Sequence, residues 1–181
     1  INYNYKDRYM VELNGRYDGS SRFIGDKRWG FFPSVSGGWN IAREEFFSDW
    51  SNLFSTLKLR ATWGQLGNTD TKDAWYPFYQ TMPTGTATGT WLVDGTKPNV
   101  AGLPGIVSSL KTWETIESWD VGLDWALLGN RLTGSFDYFT RYTYDMIGPA
   151  PELPGVLGAS PPKINNSDMK SYGFELELSW R

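Results

Sequence analysis

Between Arg131 and Tyr144 the chain divides, residue by residue, into two sets. Leu132, Gly134, Phe136, Tyr138, Thr140, Tyr142 and Tyr144 alternate with Arg131, Thr133, Ser135, Asp137, Phe139, Arg141 and Thr143. A strand sends successive side chains to opposite faces of its sheet, so one face here is nearly free of charge and the other is mostly polar. A segment of this kind needs two different surroundings, and the apolar one is either a protein core or lipid.

The same period-2 pattern predicts a short strand near Asn2–Tyr5 and six longer ones. These run over Arg8–Asp18, Phe31–Ile41, Leu57–Leu66, Thr115–Leu128, Arg131–Tyr144 and Ser171–Arg181. In the second, Tyr9, Val11, Leu13 and Tyr17 oppose Glu12, Asn14 and Arg16; in the last, Tyr172, Phe174, Leu176, Leu178 and Trp180 oppose Glu175 and Glu177. Leu57, Leu59, Ala61 and Trp63 oppose Lys58 and Arg60, while Trp119, Val121, Leu123, Trp125 and Leu127 oppose Asp120 and Asp124. Glu117, on the apolar parity at a strand end, is the main exception.

Alternation alone fits a soluble sandwich as well as a membrane barrel, because each hides an apolar face from water. Three features favour the barrel. Strands of about 11 residues, tilted by about 45°, span roughly 25 Å, the height of an outer-membrane apolar band, whereas soluble strands are more often about 5–6 residues long. The connections also alternate. Lys6-Asp7 and Gly129-Asn130 are tight and Ala42–Thr56 is intermediate, and all three fall on one side. Gly19–Gly30, Asn68–Glu114 and Asp145–Lys170 are long and fall on the other, as outer loops do in such barrels. The segments 67–114 and 145–170 are therefore expected to be long extracellular loops, the first long enough for a further hairpin, for instance around Tyr76–Met82.

Aromatics on the apolar parity, finally, gather at strand ends. Tyr9, Trp39, Trp125 and Trp180 lie near the short turns; Tyr17, Phe31, Trp119, Tyr142, Tyr144 and Tyr172 lie near the long loops. Rings with a polar edge settle at headgroup level, so Tyr9, Tyr17, Trp39, Trp119, Trp125, Tyr142, Tyr172 and Trp180 are expected to form a lipid-facing girdle. The opposite parity then gives a lumen lined by Glu12, Arg16, Lys58, Arg60, Asp120, Asp124, Asp137, Arg141, Glu175 and Glu177.

Composition removes other classes. The 181 residues contain neither Cys nor His, which excludes zinc sites of the usual kind, Ser-His-Asp triads and Cys-His pairs. A formal net charge of −3 gives no electrostatic reason to expect nucleic acid. With no run of eighteen apolar residues and no signal-like opening, any membrane association must be through strands.

Several segments also carry a family likeness. Arg16–Phe23 (RYDGSSRF), Arg28–Phe47 (RWGFFPSVSGGWNIAREEFF), Leu57–Asn68 (LKLRATWGQLGN), Asn130–Ile147 (NRLTGSFDYFTRYTYDMI) and Tyr172–Trp180 (YGFELELSW) resemble the barrel of SusC/RagA-type TonB-dependent outer-membrane transporters. Most of the chain is covered, with Thr69–Lys111 unmatched. The resemblance implies import of glycans, peptides or similar nutrients across the outer membrane of a Gram-negative bacterium. It also implies partners: the rest of the barrel and its plug, the TonB complex acting through that plug, a SusD-like surface lipoprotein, and lipid. No plug or TonB-contacting segment is read in residues 1–181, and about seven strands compare with about 22 in such transporters. The expected fold is thus mainly β, an antiparallel meander forming part of a large transmembrane barrel, and an open curved sheet by itself.

The site candidates follow from these positions. Trp75, Tyr76, Tyr79 and Trp91, in the long loop, offer flat surfaces on which sugar rings would stack, although packing of loop against loop explains them as well. Glu175 and Glu177, two apart on one face, place carboxyls about 7 Å apart, a spacing that inverting glycosidases use. A charged, wet lumen accounts for both more simply, so no catalytic role and no enzyme activity are assigned. Asp70 and Asp73 lack the spacing of a calcium loop, and no metal or cofactor is expected. Ala42–Phe54 is expected to form a short amphipathic helix, and Asn165-Asn166-Ser167 reads as a loop despite matching a glycosylation sequon. The competing class is a soluble, aromatic-rich β-sandwich that binds carbohydrate, in which Val11, Leu123 and Leu176 would be buried between two sheets.

Overall fold

A computed structural model describes residues 1–70, 75–150 and 152–181. In chain order its strands are β1 (Asn2–Tyr5), β2 (Tyr9–Gly19), β3 (Trp29–Asn40), β4 (Phe54–Asn68), β5 (Thr84–Thr86), β6 (Asn99–Ala101), β7 (Glu114–Leu127), β8 (Leu132–Gly148) and β9 (Ile164–Trp180). Seven of them form one sheet in the order β1-β2-β3-β4-β7-β8-β9, antiparallel throughout; β5 and β6 pair separately. The sheet is an open meander: β1 and β9 are its edges.

Turn chemistry fixes the register at the short-turn side. Lys6 and Asp7 both have positive φ in the three-residue link between Tyr5 and Tyr9, and the Arg8 N–H closes the turn on the Tyr5 carbonyl at 2.9 Å. Asn4 Nδ2 donates to Asp7 Oδ1 at 2.7 Å while Asp7 N–H donates to Asn4 Oδ1 at 3.0 Å. Between β7 and β8, Leu128, Gly129 and Asn130 all take positive φ, with Gly and Asn the residues that tolerate it best.

Because directly paired residues share a face, the register sorts side chains without ambiguity. One row runs Leu13, Val35, Trp63, Trp119, Thr140, Tyr172; the next runs Tyr9, Trp39, Leu59, Leu123, Phe136, Leu176. On the other face Asn2, Glu12, Ser36, Thr62, Asp120 and Phe139 form one row, and Gly38, Arg60, Gly122, Asp137 and Glu175 another. The apolar face is uncovered: Val11 is 41% exposed and Leu176 59%, and Leu123 is half-buried. A sandwich would have buried all three, and a soluble monomer rarely leaves such a patch open.

What core exists sits at the long-loop end. Phe23 in the β2–β3 loop, Phe32 on β3 and Trp113 just before β7 form a buried aromatic cluster, with Trp113 centred 5.7 Å from Phe23 and 5.2 Å from Phe32. The β2–β3 loop also holds both ends of the long loop: Arg22 Nη1 donates to the Thr69 carbonyl and Lys27 Nζ to the Leu110 carbonyl, each at 2.8 Å.

Four local features differ from the pattern-based reading. Paired strand continues to Gly148 and resumes at Ile164, so the β8–β9 connection is narrower than 145–170; register shifts after Thr143 break the strict alternation that pattern reading follows. Asn165, Asn166 and Ser167 consequently lie on β9, where the Asn165 amide binds the Thr112 backbone and the Asp145 carbonyl. The hairpin in the long loop is Thr84–Thr86 with Asn99–Ala101, apart from the main sheet, and is not around Tyr76–Met82. The β3–β4 link is helical, as the pattern predicts, but is split into two 3-10 turns, Ile41–Arg43 and Glu45–Trp50, where the pattern predicts one short amphipathic helix over Ala42–Phe54. Among the described residues no helix is long and apolar enough to cross a membrane, which leaves membrane-spanning strands untouched.

Candidate functional site

All ten charged residues assigned to the lumen by parity fall on the polar face of the sheet, and all eight girdle aromatics fall on the apolar one. The centre of the polar face is an ion cluster. Arg60 on β4 donates from Nε to Asp124 Oδ2 at 2.9 Å and from Nη2 to Asp124 Oδ1 at 3.0 Å, a two-pronged match of guanidinium to carboxylate. Its Nη2 also reaches Asp137 Oδ1 at 2.8 Å, two strands away.

That reach depends on the residue between them. Gly122 pairs with Arg60 on one side and Asp137 on the other, and a Cβ there would lie 2.2 Å from Asp137 Oδ1 and 2.8 Å from Arg60 Nη2. The cluster therefore braces β4, β7 and β8 across the space a side chain would fill. All three charged side chains retain some exposure, so its worth is that of a partly hydrated network rather than a buried one.

Two hollows flank the cluster. One of about 530 Å³ is lined by Arg16, Phe32, Ser34, Gly64, Leu66 and Asp120 among others. Another of about 370 Å³ lies against Arg60, Asp120, Asp137, Phe139, Arg141 and Glu175. Such surfaces, mixing both charge signs with an aromatic floor, suit polar solutes held by hydrogen bonds and stacking. Glu175 and Glu177 project from the exposed edge strand, opposite Asp137 and Ser135.

The loop aromatics are not assembled into one platform. Tyr76, Phe78 and Tyr79 pack on one another, and Tyr76 and Tyr79 line a hollow of about 360 Å³ with Pro77, Pro161 and Pro162. Trp75 stands elsewhere, its ring under the Arg22 guanidinium at 4.4 Å beside a separate hollow of about 440 Å³ that Ser20, Asn68 and Thr69 also line, and Trp91 is exposed and lines neither of these two hollows. Among the described residues no group of three or more His, Cys, Asp or Glu is arranged to hold a metal; Asp73, considered with Asp70 as a calcium ligand, lies outside them.

Two carboxylates that pattern reading did not single out as functional organise the aromatic rims. Near the short turns Glu44 Oε1 accepts from Tyr9 Oη at 2.5 Å and Trp39 Nε1 at 3.0 Å, with Arg8 Nη1 3.5 Å from Oε2. Near the long loops Glu117, the exception to the alternation, accepts from Trp63 Nε1 at 3.1 Å, Trp119 Nε1 at 2.9 Å and Gln65 Nε2 at 3.3 Å. The exception was visible in the sequence, and its meaning required knowing that β4 and β7 are neighbours.

Glu44 lies outside the strands, and its carboxyl is held below the usual carboxylate range. The Tyr9 hydrogen bond is the largest cause, followed by that of Trp39; partial desolvation opposes them, and the Arg8 charge adds to them. A depressed folded-state pKa means that the stabilisation is present above the ordinary carboxylate value and is lost as pH falls through the lowered one. The gap in thermal midpoint between the full-length wild type and Glu44→Gln is thus expected to narrow on acidification through that range. A gap independent of pH would remove Glu44 from this role.

A family model described as "TonB dependent receptor-like, beta-barrel" matches residues 1–181. TonB-dependent receptor P3 of Formosa agariphila is 35% identical over 186 residues, covering 100% of this chain and 17% of the relative. TonB-dependent receptor SusC of Bacteroides thetaiotaomicron is 33% identical over 181 residues, covering 99% of this chain and 18% of the relative. Among solved structures, a chain of the RagAB peptide importer in its "closed-closed" state superimposes with a TM-score of 0.79 at 26% identity, over 98% of this chain and 18% of that one. The "open-open" state gives 0.77 at the same identity and coverage. The chain thus spans less than a fifth of the length of these relatives.

Proposed function

From the premise that this chain belongs to the TonB-dependent receptor β-barrel family, we propose that it is a wall segment of a TonB-dependent nutrient importer in the outer membrane of a Gram-negative bacterium. One observation carries the reading: a single-layer sheet of long strands with an uncovered apolar face, rimmed by aromatics, and a polar face opposite. Lipid is the solvent that removes the cost of exposing the apolar face. The polar face then lines a water-filled lumen, and the connections at 69–113 and 149–163 face the cell exterior.

In this reading the segment performs no chemical step. It holds the wall rigid while the plug and TonB do the moving. The near-equal fits to the closed-closed and open-open states of RagAB agree with such a passive wall. Exposed apolar residues of the outer connections, Leu103, Leu110 and Val156 among them, offer the surface for a SusD-like lipoprotein. Trp75, Tyr76, Tyr79 and Trp91 are proposed as separate contact points for a glycan or peptide before it enters, supported by their exposure on the long connection.

Single Cys substitutions along Arg131–Tyr144 in the full-length parent test the topology, the segment itself being free of Cys. A water-soluble maleimide applied to outer membranes is expected to label Ser135, Asp137 and Arg141 positions and to spare those at Gly134, Phe136 and Tyr138. A lipid-confined probe should reverse the pattern. If the lipid-confined probe fails to reach the spared positions, they lie in a protein core and the soluble carbohydrate-binding sandwich takes over.

A further inference from the structure

The seven strands of the sheet carry five basic residues, and four of them, Arg16, Lys58, Arg60 and Arg141, are on the polar face. The fifth, Lys170, pairs with Tyr142 and so belongs to the apolar face, at the long-loop end of β9. We propose that Lys170 and the tyrosines around it form a binding point for the phosphate of an outer-leaflet lipid headgroup. The inference rests on the transmembrane reading above and adds a specific ligand to the lipid-facing surface.

Its geometry leaves the charge available. Lys170 Nζ lies 4.8 Å from the Tyr142 ring centre and 5.7 Å from that of Tyr172, and Tyr144 stacks on Tyr142 at 5.9 Å. Ring faces attract an ammonium without neutralising it. Among the described residues no carboxylate pairs with Lys170. The acids of this rim are engaged elsewhere: Glu117 accepts from two indoles and Gln65, and Asp168 Oδ1 accepts from the Asp145 N–H at 3.1 Å. An ammonium with phenolic O–H donors beside it is the donor set a phosphate monoester takes up.

The apolar side chains next to it decide in favour of a lipid over a free ion. From Lys170 the same face continues through Tyr172, Phe174 and Leu176, exposed by 68%, 73% and 59%. Acyl chains attached to a phosphate at Lys170 would cover these residues, while inorganic phosphate would gain nothing from them. A cation at this boundary fits what juxtamembrane lysines contribute to anionic-lipid binding.

The test uses the full-length parent in nanodiscs of an uncharged galactolipid, with or without phosphatidic acid. The readout is the rate of Lys170 acylation by an amine-reactive reagent, read by peptide mass spectrometry with Lys58 on the opposite face as internal reference. Phosphatidic acid is expected to slow acylation of Lys170 about fivefold relative to Lys58, and inorganic phosphate in galactolipid discs is expected to leave it unchanged. Equal rates with and without phosphatidic acid would overturn the proposal. Protection by inorganic phosphate alone would overturn the assignment to lipid. Failure of the protein to enter either nanodisc would instead count against the transmembrane reading on which the proposal stands.

Discussion

Val121→Arg in the full-length parent is expected to cost about 2–4 kcal/mol of barrel stability, the penalty for a basic side chain at mid-bilayer on the lipid face of an outer-membrane barrel. Val121 is 47% exposed and lies in the row Gly37, Ala61, Val121, Tyr138, Phe174, between the Glu117 and Glu44 rims. Arginine there has no carboxylate partner and must either snorkel past Trp119 or draw water into the band. Ser135→Arg supplies the control. Ser135 is on the opposite face between Asp124 and Glu177, so the new guanidinium meets two carboxylates and the change should stay within about 0.5 kcal/mol. Urea titration of the protein refolded into vesicles, read by heat-modifiability, measures both. Equal costs at the two positions would mean that the faces share one environment, and the membrane assignment would not survive.

That pair of predictions rests on parity, which is the part of the fold the sequence displayed most openly. Six of the seven sheet strands announced themselves by alternation over lengths that soluble sheets seldom use, and the shortness of the links at Lys6-Asp7 and Gly129-Asn130 marked both as tight turns. What alternation cannot convey is lateral neighbourhood. Arg60, Gly122 and Asp137 are 62 and 15 residues apart in sequence, yet they form one row, so the need for a glycine in the middle is invisible until β4, β7 and β8 are adjacent. Glu117 was legible as an anomaly and became an anchor only when Trp63 was placed across from Trp119. The ends of β8 and β9 were missed for a related reason: the register shifts near Met146 interrupt the period while the pairing continues. The loop aromatics stayed open because period carries no information about chain segments that have none.

Trp113→Ala is the second large effect, and it should be local. Trp113 is 9% exposed, wedged against Phe23 and Phe32, so truncation removes a large packed side chain at a cost of about 3–5 kcal/mol. The strands hold their own hydrogen bonds, so the loss falls on what the cluster joins: the β2–β3 loop and the far end of the long loop, otherwise tied by Arg22 to Thr69 and Lys27 to Leu110. Limited proteolysis should accordingly cut within the outer connections of the variant while the barrel stays heat-modifiable. Trp113→Phe separates packing from hydrogen bonding. The Trp113 indole N–H is buried and makes no hydrogen bond among the described residues, so phenylalanine forfeits volume but no bond and should protect the loops nearly as well as tryptophan. Gly67→Ala approaches the same cluster from the other side, since its Cβ would fall 2.0 Å from Phe32 Cζ and push that ring out from beneath Trp113. Proteolytic sensitivity in Trp113→Ala and Gly67→Ala, with resistance in Trp113→Phe, is the pattern that an aromatic latch at the mouth of the wall requires. Equal sensitivity of Trp113→Phe and Trp113→Ala would show that the smaller ring cannot hold Phe23 and Phe32 together, and packing by any aromatic at this position would be ruled out as the latch.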